Sequence, residues 1–263
     1  MARIIVLLKD IVDLNEIKID SSTREPKTEG VKRRISDLDK RALEAAIRLR
    51  ESGVGEVLTL SMGSSKTRTA MLEALAIGAD AAYIVNDEGL EGVDTTSTSI
   101  VLKSAIEKIG EYDLIVAGEM SLDSLSSQVG PRLAKLLDLP QVTYVKGMEL
   151  GDGVLKAERD LEDVDEVVEV VLPAVVSVVR EINEPRIPSL MNIMKAKRKP
   201  VEEWDTKDLG LSVGEVRSET SVEVLKVEAP EVSRKRVVIQ ADTVEEVAVK
   251  LVEAIMAEGV LEG

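Results

Sequence analysis

Short apolar runs alternate with amphipathic segments along the first half of the chain. The residues from Arg3 to Leu8 form an apolar run of strand length, as in a strand that is buried on both faces. The residues from Leu38 to Ser52 place their apolar side chains on one helical face, and Gly53 follows as a stop signal. The alternation continues through predicted strands at Val57–Leu60, Ala82–Val85 and Leu114–Ala117, and predicted helices at Lys66–Ile77, Thr96–Ile109 and Leu125–Leu137. This order predicts an α/β fold with a mostly parallel open sheet and helices on both faces.

The pattern changes after Pro140, where strand-length apolar runs follow one another without helices between them. These runs are Val142–Leu150, Val154–Asp160, Glu166–Leu172 and Val175–Val179. Successive strands joined by short turns predict an antiparallel extension of the sheet.

From Val201 the chain is polar and poorly periodic until a short apolar run at Val237–Ile239. A final helix is predicted from Asp242, a candidate N-cap, to about Glu258. We interpret residues 201–263 as a C-terminal arm that is ordered by a partner subunit. The alternative is an ordinary C-terminal helix packed on its own domain.

Composition excludes several classes of function. The chain has 263 residues, 44% of them hydrophobic, which is enough for a sizeable core. It contains no cysteine and no histidine, so thiol chemistry and the commonest general base are absent. Aromatic residues make up 2% and the net charge is −15, which argues against a nucleic-acid partner. No run approaches the length of a membrane span, and the first predicted strand leaves no room for a signal peptide. We therefore expect a cytoplasmic protein.

Four loops follow predicted strands and are candidates for ligand binding, because open parallel sheets bind ligands beyond the carboxyl ends of their strands. They are Leu8–Asp13, Ser61–Lys66, Asn86–Glu91 and Gly118–Gly130. The second and fourth loops are rich in small residues and precede helices, so their backbone amides could bind a phosphate. The alternative for each serine cluster is simple helix capping. Both together favour a nucleotide cleft, and the absence of a Gly-Lys-Ser/Thr motif argues against hydrolysis of a nucleoside triphosphate.

The segment from Asn183 to Pro200 combines a proline-rich loop with apolar and basic residues. It holds three of the eight prolines, which predicts a stiff loop rather than a helix or strand. We interpret residues 183–199 as a docking loop for a partner protein, with Leu190, Met191, Ile193 and Lys195 as its contact residues. The alternative is that the apolar side chains tuck into the domain.

This segment reads NEPRIPSLMNIMKAKRKP and resembles the signature of the electron transfer flavoprotein β-subunit. Other matching segments appear in the same order along residues 1–206. They include Leu8–Asp13, Ile35–Asp39, Ala74–Asp80, Ser126–Pro131, Leu139–Tyr144 and Leu172–Val176. The resemblance implies a fold like that of the adenine nucleotide α hydrolases, with residues 1–200 as the nucleotide-binding domain.

The resemblance also implies partners and cofactors. In this family an α-subunit carries the main FAD, and the β-subunit cleft holds AMP or, in electron-bifurcating members, a second FAD that accepts hydride from NADH. The resemblance further implies that Leu190 anchors an acyl-CoA dehydrogenase or another flavin dehydrogenase. No side chain is expected to be catalytic, because the electrons would reside on flavin. The matching cleft residues are Leu7, Ser36, Met62, Gly63, Asp123, Ser126, Ser127, Gln128 and Val129.

Some positions depart from the family pattern. In the fourth loop, Glu119-Met120 stands where the family usually has Lys-Gln, and Leu125 stands where it has an acidic residue. At the start of the first helix, Ser36-Asp37 stands where the family has Asn-Pro. These departures leave open whether the nucleotide is AMP or a second FAD. A different class of function, a stand-alone sensor that binds an adenine nucleotide, is the alternative hypothesis.

Overall fold

A computed structural model describes residues 2–53, 55–151, 153–231 and 234–259. The chain divides into two compact units, one ending at Val227 and the other beginning at Glu228. The predicted boundary at Pro200 lies before the boundary between these two units. Residues 201–227, which the sequence analysis assigns to the arm, belong to the first unit.

Most strands of the first unit belong to one sheet of nine strands. The described strands are β1 (Arg3–Leu7), β2 (Asp10–Val12), β3 (Lys18–Ile19), β4 (Pro26–Lys27), β5 (Arg33–Ile35), β6 (Glu56–Gly63), β7 (Ala81–Asn86), β8 (Leu114–Gly118), β9 (Gln141–Gly151), β10 (Val154–Asp160), β11 (Asp165–Val171), β12 (Ala174–Val178) and β13 (Val201–Trp204). The order in the sheet is β11-β10-β9-β12-β8-β1-β6-β7-β13, and two small ribbons pair β2 with β5 and β3 with β4.

The described α-helices are α1 (Asp37–Glu51), α2 (Thr67–Ile77), α3 (Thr95–Ile109), α4 (Val129–Leu136), α5 (Leu190–Ala196), α6 (Val213–Ser218) and α7 (Val244–Ala257). Helices cover both faces of the sheet. Ile4 and Val6 of β1 pack in one apolar cluster with residues of α1 and α2, whereas Ile5 and Leu7 pack in a second cluster with residues of α3 and α4. The continuous apolar run of β1 is therefore buried on both sides, and the predicted α/β fold is confirmed.

The connections create a switch point beside β1. The chain runs from β1 through α1 to β6 and then through α2 to β7, all on one side of β1. It then crosses through α3 to β8, which pairs with β1 on its other side. All these strands are parallel, so their carboxyl ends lie at one edge of the sheet.

Two strands differ from the sequence-based prediction. β12 was assigned to the antiparallel extension, but it lies between β8 and β9 and is parallel to both. The antiparallel part consists of β9, β10 and β11. β13 was assigned to the arm, but it pairs with β7 as a parallel edge strand, and its Trp204 packs against Tyr83 with 5.0 Å between ring centroids.

Two local predictions were also wrong. The helix expected from Leu125 begins at Val129, because Leu125 and Ser127 have positive φ angles of 50° and 52°. The segment expected to be a stiff loop contains α5, whose N-cap Ser189 accepts a hydrogen bond from the Asn192 amide at 3.2 Å.

The C-terminal helix was predicted correctly, but its N-cap is a different residue. Thr243 caps α7 by accepting a hydrogen bond from the Glu246 amide at 3.2 Å, in place of the expected Asp242.

Candidate functional site

A cavity of about 540 Å³ opens at the switch point of the sheet. Its floor is formed by the carboxyl ends of three neighbouring strands, with Leu7 from β1, Met62 from β6 and Gly118 from β8. A volume of this size lies within the range of about 300–1,000 Å³ that small-molecule sites occupy. The position is also the one where open α/β sheets bind ligands.

The loop after β8 forms one wall of the cavity. The Leu125 amide donates to the Ser121 carbonyl at 2.9 Å, and the hydroxyls of Ser121 and Ser124 lie 2.9 Å apart. Leu125 and Ser127 occupy the left-handed region of backbone conformation, which few residues other than glycine adopt. This tight turn directs Ser124, Ser126 and Ser127 toward the cavity before α4 begins. Backbone strain of this kind is typical of binding loops.

Asp39 joins two strand ends at the bottom of the site. Its buried carboxylate accepts the Lys9 amide at 2.8 Å and the Gly118 amide at 3.2 Å. Burial raises the pKa of Asp39 to about 7, against the opposite effect of these two hydrogen bonds. Residue 118 must be glycine, because a Cβ atom there would lie 2.6 Å from the Asp39 carboxylate. The first turn of α1 is thereby fixed against both β1 and β8.

The start of α3 forms the opposite wall. Asp94 caps this helix by accepting the Thr96 and Ser97 amides at 2.9 and 3.0 Å. Burial raises the pKa of Asp94, but hydrogen bonds from amides, including that of Ser221, outweigh it and hold the pKa below its usual range. The bond to Ser221 positions the segment that brings Val222 and Val224 to the cavity.

The two walls are joined by a hydrogen bond between side chains. The Thr95 hydroxyl donates to the Gln128 side-chain carbonyl at 2.8 Å, and Arg132 donates to the same oxygen at 3.1 Å. Gln128 is therefore oriented by partners from both α3 and α4.

Six of the nine cleft residues expected from the resemblance line the cavity. They are Leu7, Met62, Ser126, Ser127, Gln128 and Val129. The other three lie beside it. Ser36 is buried and its hydroxyl accepts the Leu122 amide at 3.4 Å, Gly63 packs against Thr67, and Asp123 forms an ion pair with Lys9.

The loop at Ser61–Ser65 contributes little to the lining of the cavity. Only Met62 from this loop lines the cavity. The Ser64 amide donates to the Thr67 hydroxyl at 3.1 Å, and the Lys66 amide donates to the Ser64 hydroxyl at 3.3 Å. These amides are therefore used in local capping, which is the alternative that the sequence left open.

Sequence reasoning missed several residues of the cavity. Asp39, Asp94 and Thr95 line it, as do Val222 and Val224, which lie far along the chain. Lys9 also lines it and falls within the predicted candidate loop Leu8–Asp13. A signal was present for Asp94, because an Asp immediately before a helix is a strong N-cap. The sequence also indicates that the loop just before it follows the end of a strand. No local pattern marks Val222 and Val224.

The segment at residues 183–199 has one half that is attached to α1 and one half that forms an exposed helix. In the attached half, Arg186 forms ion pairs with Glu44 at 2.8 Å and Glu51 at 2.6 Å, and the Asn183 side-chain amide donates to the Arg41 carbonyl at 3.0 Å. These contacts attach the segment to α1, whose Glu44 side chain is buried.

The exposed half is α5. Its Leu190, Met191 and Ile193 are exposed by 82%, 63% and 42%, and Lys195 is exposed as well. Lys199 is not part of this surface, because its ammonium group donates to the carbonyls of Leu75 and Ala79 at the end of α2. The exposed residues of α5 therefore form an apolar surface held in place at both ends.

Within the described ranges, no cluster of three or more acidic residues could hold a metal ion, and no helix is long and apolar enough to cross a membrane.

Comparison with known proteins gives consistent matches. Residues 27–209, more than half of the chain, match the model of the electron transfer flavoprotein domain. The chain is 46% identical over 160 residues to the electron transfer flavoprotein subunit beta of Thermoanaerobacterium thermosaccharolyticum, an alignment that spans 61% of each chain. It is 36% identical over 261 residues to the caffeyl-CoA reductase-Etf complex subunit CarD of Acetobacterium woodii, covering 98% of this chain and 100% of the relative. The corresponding subunit beta of Bacillus subtilis is 35% identical over 207 residues, 78% of this chain and 80% of its own length.

Proposed function

The chain belongs to the family of electron transfer flavoprotein β-subunits, and from this premise we propose that its cavity binds an adenine nucleotide within a heterodimer that shuttles electrons. Proteins of this family are associated with flavin and transfer electrons, and β-subunits pair with α-subunits. The observation that carries the proposal is the cavity itself, which lies at the switch point and is lined by the hydroxyls and amides of the loop after β8.

The chemistry of the cavity suits a nucleotide. Its apolar surface, from residues such as Leu7, Met62 and Val129, suits an adenine ring, and its serine hydroxyls suit ribose and phosphate. The loop after β8 also ends at the start of α4, and anions are favoured at the N-terminus of a helix.

The nucleotide is AMP or a second FAD. The loop after β8 carries Glu119, Met120 and Leu125 where the family pattern has Lys, Gln and an acidic residue; Glu119 and Met120 line the cavity, and Leu125 lies beside it. Loss of an acidic side chain from this loop removes a group that would repel a pyrophosphate, which favours FAD; drift in a lineage that binds AMP would produce the same sequence. With FAD in the cavity, the complex would oxidise NADH and bifurcate its electrons.

Two surfaces fit the protein partners of such a heterodimer. The exposed residues of α5 fit the docking of a flavin dehydrogenase, of the acyl-CoA type or another. The apolar side chains of α7, including Val244 at 81% and Met256 at 62% exposure, fit an arm that contacts the α-subunit.

The test is to purify the chain with its co-expressed α-subunit, denature the complex, and identify the released molecules by mass. We expect one FAD from the α-subunit plus one further AMP or FAD per heterodimer. Two flavins per heterodimer support bifurcation, and one flavin with AMP rejects it. A complex that releases neither AMP nor a second FAD refutes the nucleotide proposal, and a colourless homodimer that responds to AMP supports the sensor alternative.

A further inference from the structure

The cavity contains one basic side chain for a ligand that carries phosphate. Among the described residues that line it, Lys9 is the only lysine or arginine, whereas Asp39, Asp94 and Glu119 bring carboxyl groups. A phosphate monoester carries a charge of about −1.5 to −2 near neutral pH. A nucleotide therefore enters a site whose nearest side chains are mostly acidic, and it needs a counter-charge.

Both the backbone and the side chain of Lys9 are hydrogen-bonded at the edge of the cavity. Its amide donates to the buried Asp39 carboxylate at 2.8 Å, which fixes the start of the side chain at the end of β1. Its ammonium group lies 2.9 Å from the Asp123 carboxylate and 3.4 Å from the Ser121 hydroxyl. Ser121 and the neighbouring Ser124 line the cavity, but Asp123 does not. The ammonium group therefore stands between a cavity wall and an acidic residue outside it.

We propose that Lys9 binds the phosphate of the nucleotide, and that Asp123 holds Lys9 at the rim until the phosphate takes its place. This inference rests on the proposed function, because it assumes a phosphate-bearing ligand in the cavity. It assigns Asp123 a role through Lys9, in place of a direct contact with the nucleotide.

The exchange is physically favourable. The Lys9 and Asp123 side chains are exposed by 45% and 32%, and ion pairs with this much solvent contact are weak. The phosphate of AMP offers more charge and three acceptor oxygens, the pyrophosphate of FAD offers a negative charge on each of its phosphates, and the flexible lysine stem lets the ammonium group turn toward either. Asp123 then competes with the ligand for Lys9. Neutralising Asp123 strengthens phosphate binding, and neutralising Lys9 weakens it.

A purely structural ion pair makes a different prediction. If Lys9 and Asp123 only fasten the loop to β1, loss of either side chain loosens the same loop and changes ligand affinity in the same direction. The opposite signs expected for the two variants therefore separate a binding role from a structural one.

The experiment is calorimetric titration of the full chain, freed of bound nucleotide, with AMP, FAD and adenosine as probes. We expect Lys9→Met to weaken AMP or FAD about tenfold, the loss typical of a hydrogen bond to a charged group, and to leave adenosine unchanged. Lys9→Arg should restore most of the affinity because it keeps the charge, and Asp123→Asn should strengthen binding of the phosphate probes.

Lys66→Met is the matched control, because Lys66 is an exposed lysine beside the other small-residue loop. It should change no affinity. The inference is overturned if Lys9→Met leaves AMP and FAD binding intact, weakens adenosine equally, or changes affinity in the same direction as Asp123→Asn. A Lys66→Met variant that weakens AMP would place the phosphate at the other loop. A wild-type chain that binds none of the three probes refutes the proposed function itself, and this inference with it.

Discussion

Leu190 lies at the start of α5 with 82% of its surface exposed. A leucine this exposed contributes little to folding, so Leu190→Ala should change the free energy of unfolding by less than about 0.5 kcal/mol. If the side chain enters a pocket of the partner dehydrogenase, its truncation should weaken that complex by about 1–3 kcal/mol. The measurement is the rate of electron transfer to the dehydrogenase as its concentration is varied, with flavin content determined in parallel.

Val171→Ala is the matched control for Leu190→Ala, because it truncates an apolar side chain that is 69% exposed on β11, outside residues 183–199. Electron transfer by this control should equal that of the wild type. A Leu190→Ala variant that loses flavin or fails to pair with the α-subunit would show that Leu190 is structural and that the docking assignment is wrong.

Asp39 gives the folded chain a defined dependence on pH. Its pKa is about 7 in the folded state against an ordinary value of 3.8, because the carboxyl group is buried. At pH values between 3.8 and about 7, the folded state retains the proton of Asp39, whereas the unfolded state has released it. The free energy of unfolding therefore falls as pH rises, by up to about 1.4 kcal/mol per pH unit, and the contribution is lost by about pH 7.

Asp39→Asn should remove this slope, because asparagine is neutral throughout. The measurement is urea unfolding of both chains at several pH values between about 4 and about 8. Asp163→Asn, at an exposed position between β10 and β11, is the control and should keep the wild-type slope. Identical pH profiles for the wild type and Asp39→Asn would mean that Asp39 does not change its protonation in this way.

At the scale of elements, β13 gives a direct test of the sheet. Trp204 is the single tryptophan of the chain and is buried against Tyr83, with the Lys108 ammonium group 4.9 Å from its ring centroid. Because β13 is hydrogen-bonded to β7, we expect tryptophan fluorescence and far-ultraviolet circular dichroism to report the same unfolding midpoint in the isolated chain. A fluorescence transition that precedes the loss of helix would show that residues 201–204 behave as an arm.

The attachment of α5 also belongs to the scale of elements. Arg186 joins this segment to Glu44 and Glu51 on α1, the helix whose first turn carries Asp39. The proposed docking surface and the cavity are therefore supported by one helix. These two ion pairs of Arg186 explain why α5, a helix with an exposed apolar face, has a fixed position on the domain.

At the scale of the whole molecule, the two compact units predict separable roles. A chain that ends at Val227 retains the nine-stranded sheet and the cavity, so it should fold and bind the nucleotide that we propose for this cavity. It loses α7, whose apolar side chains are exposed in the described structure, so it should no longer pair with the α-subunit. The measurement is co-purification with a tagged α-subunit, together with nucleotide analysis. A stable heterodimer formed by the truncated chain would contradict the assignment of this arm to the partner.

The sequence by itself determined the alternation of strands and helices, because a strand buried on both faces must be apolar throughout and a helix over it must be apolar on one face. It also determined the family, through a long segment in which Arg186 and Leu190 stand at fixed spacing. From the same resemblance, most of the cavity residues in the loop after β8 were predicted. These are local patterns, and local physics is sufficient to produce them.

Only the tertiary structure decided which strands are neighbours. β12 resembles the antiparallel strands before it, and β13 is too short to show a period, yet both join the parallel part of the sheet. Asp39 could not be recognised as a cavity residue, and Lys9 could be placed only within the candidate loop Leu8–Asp13. Their contacts with Gly118 and Asp123 join positions that lie far apart in the sequence. Periodicity reports which face of an element is buried, whereas a site assembled from separate strand ends depends on long-range pairing that no local pattern encodes.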